Sequence, residues 1–273
     1  MTDRYALFGN PAKHSKSPLI HAAYARQTGQ DLSYEVIEAP LDGFAAAVKA
    51  FRAAGGRGGN VTMPFKLEAF ELATDRSERV RRSGAVNTLK FEGERILAEN
   101  FDGLGLVNDI RRNLGRELAG RRVLMLGAGG AVRGALLPFL EQRPALLVVA
   151  NRTVSKAQRL GEEFAGLGTL ETGGYDGIRD RAFDIVINGT SASMRGELPP
   201  VTRAAFASDC LAYDLVYGRG LAPFLALARD AGAGALADGV GMLVEQAAEG
   251  FLWWRGVRPH TGPVIAQLKV PLA

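Results

Sequence analysis

Val123-Leu124-Met125-Leu126-Gly127-Ala128-Gly129-Gly130-Ala131 reads as a buried strand, a glycine turn and the opening of a helix, in that order. Gly127 permits the tight turn, and Gly129 lets backbone come close to a ligand. A helix starting there and running to about residue 142 would aim free N–H groups and the positive end of its dipole at an anion such as a pyrophosphate. The strict G-x-G-x-x-G spacing fails, because Val132 stands at the third glycine; Gly134 and Ala135 are small enough to serve helix–strand packing instead. A glycine-rich turn without a ligand is the bland alternative, and the next strand bears on it. Residues 145–150 are nearly all apolar and lead into Asn151-Arg152-Thr153. An NAD site usually carries Asp or Glu there for the ribose 2′-hydroxyl, whereas an Arg accommodates a 2′-phosphate. The acid is missing and Arg152 is present. Thr153, Ser155 and Lys156 add two hydroxyls and a charge at the next helix start, which favours NADP. The other reading leaves Arg152 solvated and Thr153 as a helix N-cap.

Outward from this segment the chain alternates strand and helix. Strands are predicted at 5–8, 33–39 and 57–62, with helices at 17–28 and about 41–54. Ser17 is the expected N-cap of the first helix, Pro18 its first residue and Gly29 its stop. Residues 85–91 and 95–99 flank Glu92-Gly93-Glu94 and read as a hairpin. A helix is expected over 104–114, with Asp102 as a candidate N-cap, and the domain crossing near 101–103. Further strands are expected at 185–188 and 210–216, then helices at 221–231, 241–255 and about 261–269. The class is α/β with two domains, the second holding a parallel sheet covered on both faces.

The 273 residues allow one large domain or two ordinary ones, and 47% hydrophobic against 23% charged residues excludes disorder. No apolar run approaches the ~18 residues of a spanning helix. The N-terminal residues carry no secretory signal pattern. One cysteine, Cys210, excludes a disulfide framework and points to a reducing, cytoplasmic setting; with only His14, His21 and His260 beside it, no metal site is expected. The net charge is +4, from 26 Arg and 7 Lys against 29 acids. The cations are scattered rather than clustered, so anionic small molecules are expected as partners, not nucleic acid or membrane.

Three groups outside the glycine turn can carry chemistry. Asn60-Val61-Thr62-Met63-Pro64-Phe65-Lys66 sits where a strand meets a helix, the edge at which open α/β sheets bind ligands. Lys66 on a first helical turn opposes the dipole, so it is either a solvated surface group or a proton donor. Asp102, if not simply a cap, can orient that ammonium and share its proton. Ser15 and Ser17, two residues apart, can bracket a carboxylate.

Together these segments resemble the shikimate dehydrogenase family. The resemblance runs through Gly9-Asn10-Pro11, His14-Ser15-Lys16-Ser17-Pro18, His21, 60–66, Gly84-Ala85-Val86-Asn87-Thr88 and Asn100-Phe101-Asp102-Gly103. It continues through 127–130, 151–153, Asn188-Gly189-Thr190-Ser191, 213–217 and 238–247. It implies NADPH-dependent, reversible reduction of 3-dehydroshikimate to shikimate in aromatic amino-acid biosynthesis, by a monomer or homodimer. It implies Lys66 and Asp102 as the catalytic pair. Ser15, Ser17 and Tyr217 would hold the substrate carboxylate, and Thr62, Lys66, Asn87, Asp102 and Gln246 its hydroxyls and carbonyl. NADP would be bound by Gly127, Ala128, Gly129, Gly130, Ala131, Asn151, Arg152, Thr153, Val154, Ser155, Lys156, Leu215 and Gly239, with Glu78 near the nicotinamide. It further implies a discontinuous substrate domain, 1–102 plus 241–273, around an NADP domain at 103–240. Three positions depart from the family pattern: Gly189 where Ala is common, Leu215 where Met is frequent, and Ala22 where Asn is common. The rival readings are a quinate/shikimate dehydrogenase, an aminoshikimate dehydrogenase paralogue and a non-catalytic NADP-sensing module. The joint presence of Lys66, Asp102, Ser15, Ser17 and Gln246 argues against the last.

Overall fold

The computed structural model describes residues 2–272. Most predicted strands form where apolar and β-branched residues lie between turn residues, the glycine-rich strand at 56–61 being the exception, and the chain gathers into two compact units. The first comprises residues 1–105 with 244–264, the second 106–243 with 265–273.

In the first unit the order is β1 (Asp3–Gly9), α1 (Ser17–Thr28), β2 (Leu32–Glu38), α2 (Phe44–Ala53), β3 (Gly56–Val61) and α3 (Lys66–Leu72). Then come β4 (Asp75–Arg76), α4 (Glu78–Ser83), β5 (Thr88–Glu92), β6 (Arg95–Glu99) and the start of α5 (Asp102–Asn108). The sheet order is β2-β1-β3-β5-β6-β4. β1 pairs in parallel with β2 and β3, while the β5–β6 hairpin runs antiparallel to β3. One face is sealed by Phe8, Phe44, Phe51, Val61, Phe65 and Leu89. Residues 244–264 close the unit: Trp254 stacks on Tyr5 with ring centroids 4.5 Å apart, and its Nε1 donates to Leu89 O at 3.0 Å.

The second unit runs β7 (Arg122–Leu126), α6 (Gly130–Glu141), β8 (Leu146–Ala150), α7 (Val154–Glu163), β9 (Leu170–Gly173), β10 (Phe183–Asn188) and β11 (Phe206–Asp214). α8 (Pro223–Asp230), β12 (Ala235–Asp238) and the start of α9 (Val240–Arg255) follow. Its order is β12-β11-β10-β7-β8-β9 with every pair parallel, so the strand order reverses between β7 and β10. That is the doubly wound arrangement, with its ligand edge at the reversal. Side chains alternate faces along each strand. Val123, Met125, Leu147, Val149, Ile185 and Ile187 pack with α6 and α7, while Leu124, Leu126, Val148 and Val186 pack with α8. Both faces are buried, which is why residues 123–126, 146–150 and 185–187 are apolar without interruption.

Four expectations are corrected. Ser17 is not the N-cap of α1: Lys16 occupies that place without a side-chain cap, and Ser17 is already helical. Asp102 likewise lies inside α5, and Asn100 Oδ1 accepts from Asp102 N at 3.1 Å. The helix expected over 104–114 gives way at Asp109–Asn113 to a π turn. Tyr213 OH donates to Asp109 Oδ2 at 2.7 Å and Asn113 Nδ2 to its Oδ1 at 2.9 Å, so both carboxylate oxygens hold the widened turn. The last helix, α10 (Gly262–Leu268), straddles the unit division, and 265–273 cluster with the second unit rather than the first, Leu272 packing against the core around Leu124.

Candidate active site

At the carboxyl ends of β1 and β3, neighbours in the first sheet, two loops carry the polar groups. Thr62 N donates to Phe8 O at 2.9 Å and Asn10 N to Met63 O at 3.0 Å, which ties the loops together. Lys66 opens α3, and Val86 N donates to Lys66 O at 3.0 Å, fixing that backbone. Its Nζ lies 2.5 Å from Asp102 Oδ2. The lysine side chain is 30% exposed and the aspartate 16%, so the pair is sheltered yet reachable. Asn87 Nδ2 donates to Asp102 Oδ1 at 2.8 Å and to Gln246 Oε1 at 3.2 Å. Lys66, Asn87, Asp102 and Gln246 therefore form one connected group. Among the described residues the Thr62 hydroxyl has no hydrogen-bond partner, leaving it open to a ligand. Ser15 Oγ donates to Ser17 Oγ at 3.1 Å, and Ser17 meets the Tyr34 hydroxyl. Freed from capping, Ser17 belongs to this polar chain.

Sequence reasoning gave Tyr34 no role, and His21 and Thr88 only a place in a motif. His21 is fully buried, stacked on Tyr34 with ring centroids 4.3 Å apart, and its Nε2 faces Asn60 Oδ1 at 3.2 Å. Burial pushes its pKa down to about 3, partly opposed by Asn60. It is therefore a neutral donor. Burial likewise raises the Tyr34 hydroxyl well above the ordinary tyrosine value, against the pull of Ser17. The signal available was buried polarity, an Asn at the end of a glycine-rich strand, and that requires the fold to be known.

Glu78 also lies in the first unit, as the first residue of α4, where Arg82 Nε donates to it at 2.8 Å. Tyr217 lies in the second unit, 41% exposed on the loop after β11.

In the second unit the glycine turn forms as read. Gly127 has φ +104°, outside the range of ordinary side chains, and its N–H donates to Ala150 O at 2.8 Å. A dinucleotide's phosphates need open space and free donors here. A Cβ at Gly129 or Gly130 would meet nothing within 4 Å, and α6 has no side-chain cap, so its first N–H groups are free. Arg152, at the end of β8, is exposed and makes no ion pair among the described residues. Thr153 does not cap α7 with its side chain, and Asn151 Nδ2 donates to Thr153 O at 2.8 Å. Free N–H groups at the start of α6 and an exposed guanidinium at Arg152 are the chemistry that a phosphorylated dinucleotide requires, so these residues fit NADP. Gly189, at the end of β10, follows from Val132: a Cβ there would meet Val132 Cγ2 at 2.4 Å and Leu215 Cδ1 at 3.5 Å. Gly239 N donates to Val216 O at 3.3 Å, which places Gly239 beside the Leu215 loop.

A doubly wound dinucleotide unit and an α/β unit with a Lys–Asp pair at its ligand edge define the class of two-domain, nicotinamide-dependent dehydrogenases. Three family models match the chain: the shikimate dehydrogenase substrate binding domain over 7–89, shikimate / quinate 5-dehydrogenase over 109–197, and the shikimate 5′-dehydrogenase C-terminal domain over 239–269. The chain is 56% identical over 272 residues to the NADP(+) shikimate dehydrogenase of Nitrosospira multiformis, covering 100% of this chain and 99% of that one. Among solved structures it is similar to an Ael1 enzyme from Pseudomonas putida, with 56% identity, a TM-score of 0.96 and all of both chains covered. It is also similar to shikimate 5-dehydrogenase from Thermus thermophilus in complex with NADP(H) and shikimate, with 30% identity, a TM-score of 0.86 and coverage of 97% and 98%. The chain belongs to the shikimate dehydrogenase family.

Proposed function

We propose that Lys66 is the general acid and base, and Asp102 its partner, in the reversible NADPH-dependent reduction of 3-dehydroshikimate to shikimate, a step toward chorismate and the aromatic amino acids. The observation that carries the assignment is the 2.5 Å contact of Lys66 Nζ with Asp102 Oδ2, in a group that includes Asn87 and Gln246. Bound NADPH supplies the hydride. A ketone becoming an alcohol also needs one proton on oxygen, and Lys66 donates it, its positive charge stabilising the developing alkoxide. In the oxidation direction Lys66 accepts the proton. Asp102 keeps the ammonium aimed at that oxygen and accepts from the adjacent ring hydroxyl. Thr62, Asn87 and Gln246 hold the remaining ring oxygens, and Ser15, Ser17 and Tyr217 the carboxylate. Gly127–Ala131, Asn151–Lys156, Leu215 and Gly239 hold NADP, with Glu78 toward the nicotinamide end. Residues 1–102 with 241–264 form the substrate domain and 103–240 the NADP domain. The protein acts in the cytoplasm as a monomer or homodimer.

The test is nicotinamide absorbance in a matrix of shikimate or quinate against NADP or NAD. The highest kcat/KM is expected for shikimate with NADP. A preference for quinate, or for NAD, would overturn the reading in favour of a quinate/shikimate dehydrogenase.

A further inference from the structure

Lys66 and Asp102 can be correctly placed only if Asp102 is held, and it is held through Asn87. The hydrogen-bond polarity around Asn87 follows from backbone groups whose roles are fixed. Phe101 N donates to Asn87 Oδ1 at 3.0 Å, so that atom is the oxygen, and Nδ2 must be the end facing Asp102 and Gln246. Asn60 is pinned in the same way. Its Nδ2 lies 3.3 Å from the carbonyl of Asn87, so Nδ2 is the donor that also reaches Thr88 Oγ1 at 3.1 Å. Asn60 Oδ1 accepts from Tyr34 OH at 2.7 Å and from His21 Nε2. With its oxygen already accepting from Asn60, Thr88 directs its hydroxyl proton to Asn87 Oδ1 at 2.8 Å. Thr88 is fully buried, and Asn60 and Asn87 nearly so, which leaves water little chance to substitute for a lost partner. The bonds run without a break from Tyr34 through Asn60, Thr88 and Asn87 to Asp102 and Lys66.

We propose that Thr88 is a positioning residue for the proton-transfer pair: its hydroxyl, polarised by Asn60, fixes the Asn87 amide, which in turn holds Asp102 against Lys66. It touches neither substrate nor cofactor. On the dehydrogenase reading above, Tyr34, Asn60, Thr88, Asn87, Asp102 and Lys66 are parts of one oriented network, and substrate meets a proton donor already aligned.

Thr88→Val keeps the shape and removes the hydroxyl; Thr88→Ser keeps the hydroxyl and removes the methyl. Wild-type turnover of shikimate with NADP is measured first, and its absence would count against the dehydrogenase reading rather than against Thr88. The second readout needs no turnover: the side-chain amide NMR signals of Asn87, with folding checked by melting temperature. For Thr88→Val, kcat is expected to fall on the order of 10-fold, the loss that a small misplacement of catalytic groups produces, with the KM for NADPH unchanged. The Asn87 amide signals should shift in Thr88→Val and stay near their wild-type positions in Thr88→Ser, which should also recover most of kcat. An unmoved Asn87 signal in a folded Thr88→Val protein overturns the proposal. So does a Thr88→Ser enzyme as slow as Thr88→Val, because the role would then be packing alone.

Discussion

Arg152 and Lys66 are two cations given different work by their surroundings. Arg152 is exposed and makes no ion pair among the described residues, so a 2′-phosphate would supply a bidentate partner for its guanidinium. Arg152→Ala is expected to raise the KM for NADPH about 10-fold or more, the value of one charge-assisted hydrogen bond, and to leave the KM for NADH unchanged. An unaltered preference for NADPH over NADH would remove Arg152 from the cofactor site. Lys66 has its acid at 2.5 Å. Lys66→Ala should lower kcat by about 10²–10⁴-fold, the usual loss of a general acid–base group, while the KM for shikimate stays within about a few-fold. A kcat near the wild-type value would mean that another group moves the proton.

Elements show where a local departure from pattern is compensated by a neighbour. Val132 on α6 and Gly189 after β10 are such a pair, since a Cβ at Gly189 would come within 2.4 Å of Val132 Cγ2. Gly189→Ala is expected to destabilise the second unit by about 1–3 kcal/mol through overpacking. Adding Val132→Ala should restore most of that loss in a double-mutant cycle read by thermal melting. Additive losses would show that the two side chains do not share this space. The middle of the second sheet was legible because residues 123–126, 146–150 and 185–187 are apolar without interruption, and the Gly127 turn because only glycine accepts its φ. The short edge strands β4, β9 and β12 were not legible. Each has two to four residues, and Leu170-Glu171-Thr172-Gly173 has no periodicity to read. Ser17 and Asp102 looked like caps because capping chemistry is local, whereas their partners Tyr34, Asn87 and Lys66 come from other elements. Residues 60–66 marked the lysine by its place where a strand meets a helix, and 100–103 the aspartate by its place at the domain crossing. The support behind them, from His21 through Asn60 to Thr88, consists of ordinary polar residues until burial makes each bond obligatory.

Across the whole molecule, burial of titratable groups shapes the response to pH. His21 titrates near 3 when folded against 6.5 in the open chain. Between those values the unfolded chain binds the extra proton, so stability rises with pH through this window and is lost as pH falls. Asp214 acts oppositely: burial raises its pKa, so its contribution is present at low pH and declines as pH rises through the folded value. His21→Gln, which keeps a donor toward Asn60 without titrating, should flatten the rise of melting temperature between about pH 3 and pH 6.5, the window set by the folded and free histidine. An unchanged slope would show that His21 is not the group responsible. The division of the chain also sets an order of events at birth. Residues 1–105 leave the ribosome first, yet Gln246 and Trp254, which complete their unit, are made only after most of the second unit has been synthesised. The nascent first unit must wait, its Tyr5 face without the Trp254 ring, while the segment inserted between its two parts can already fold. For this protein, the time taken to translate residues 106–243 is the interval during which the earliest-made part of the first unit lacks the segment that completes it.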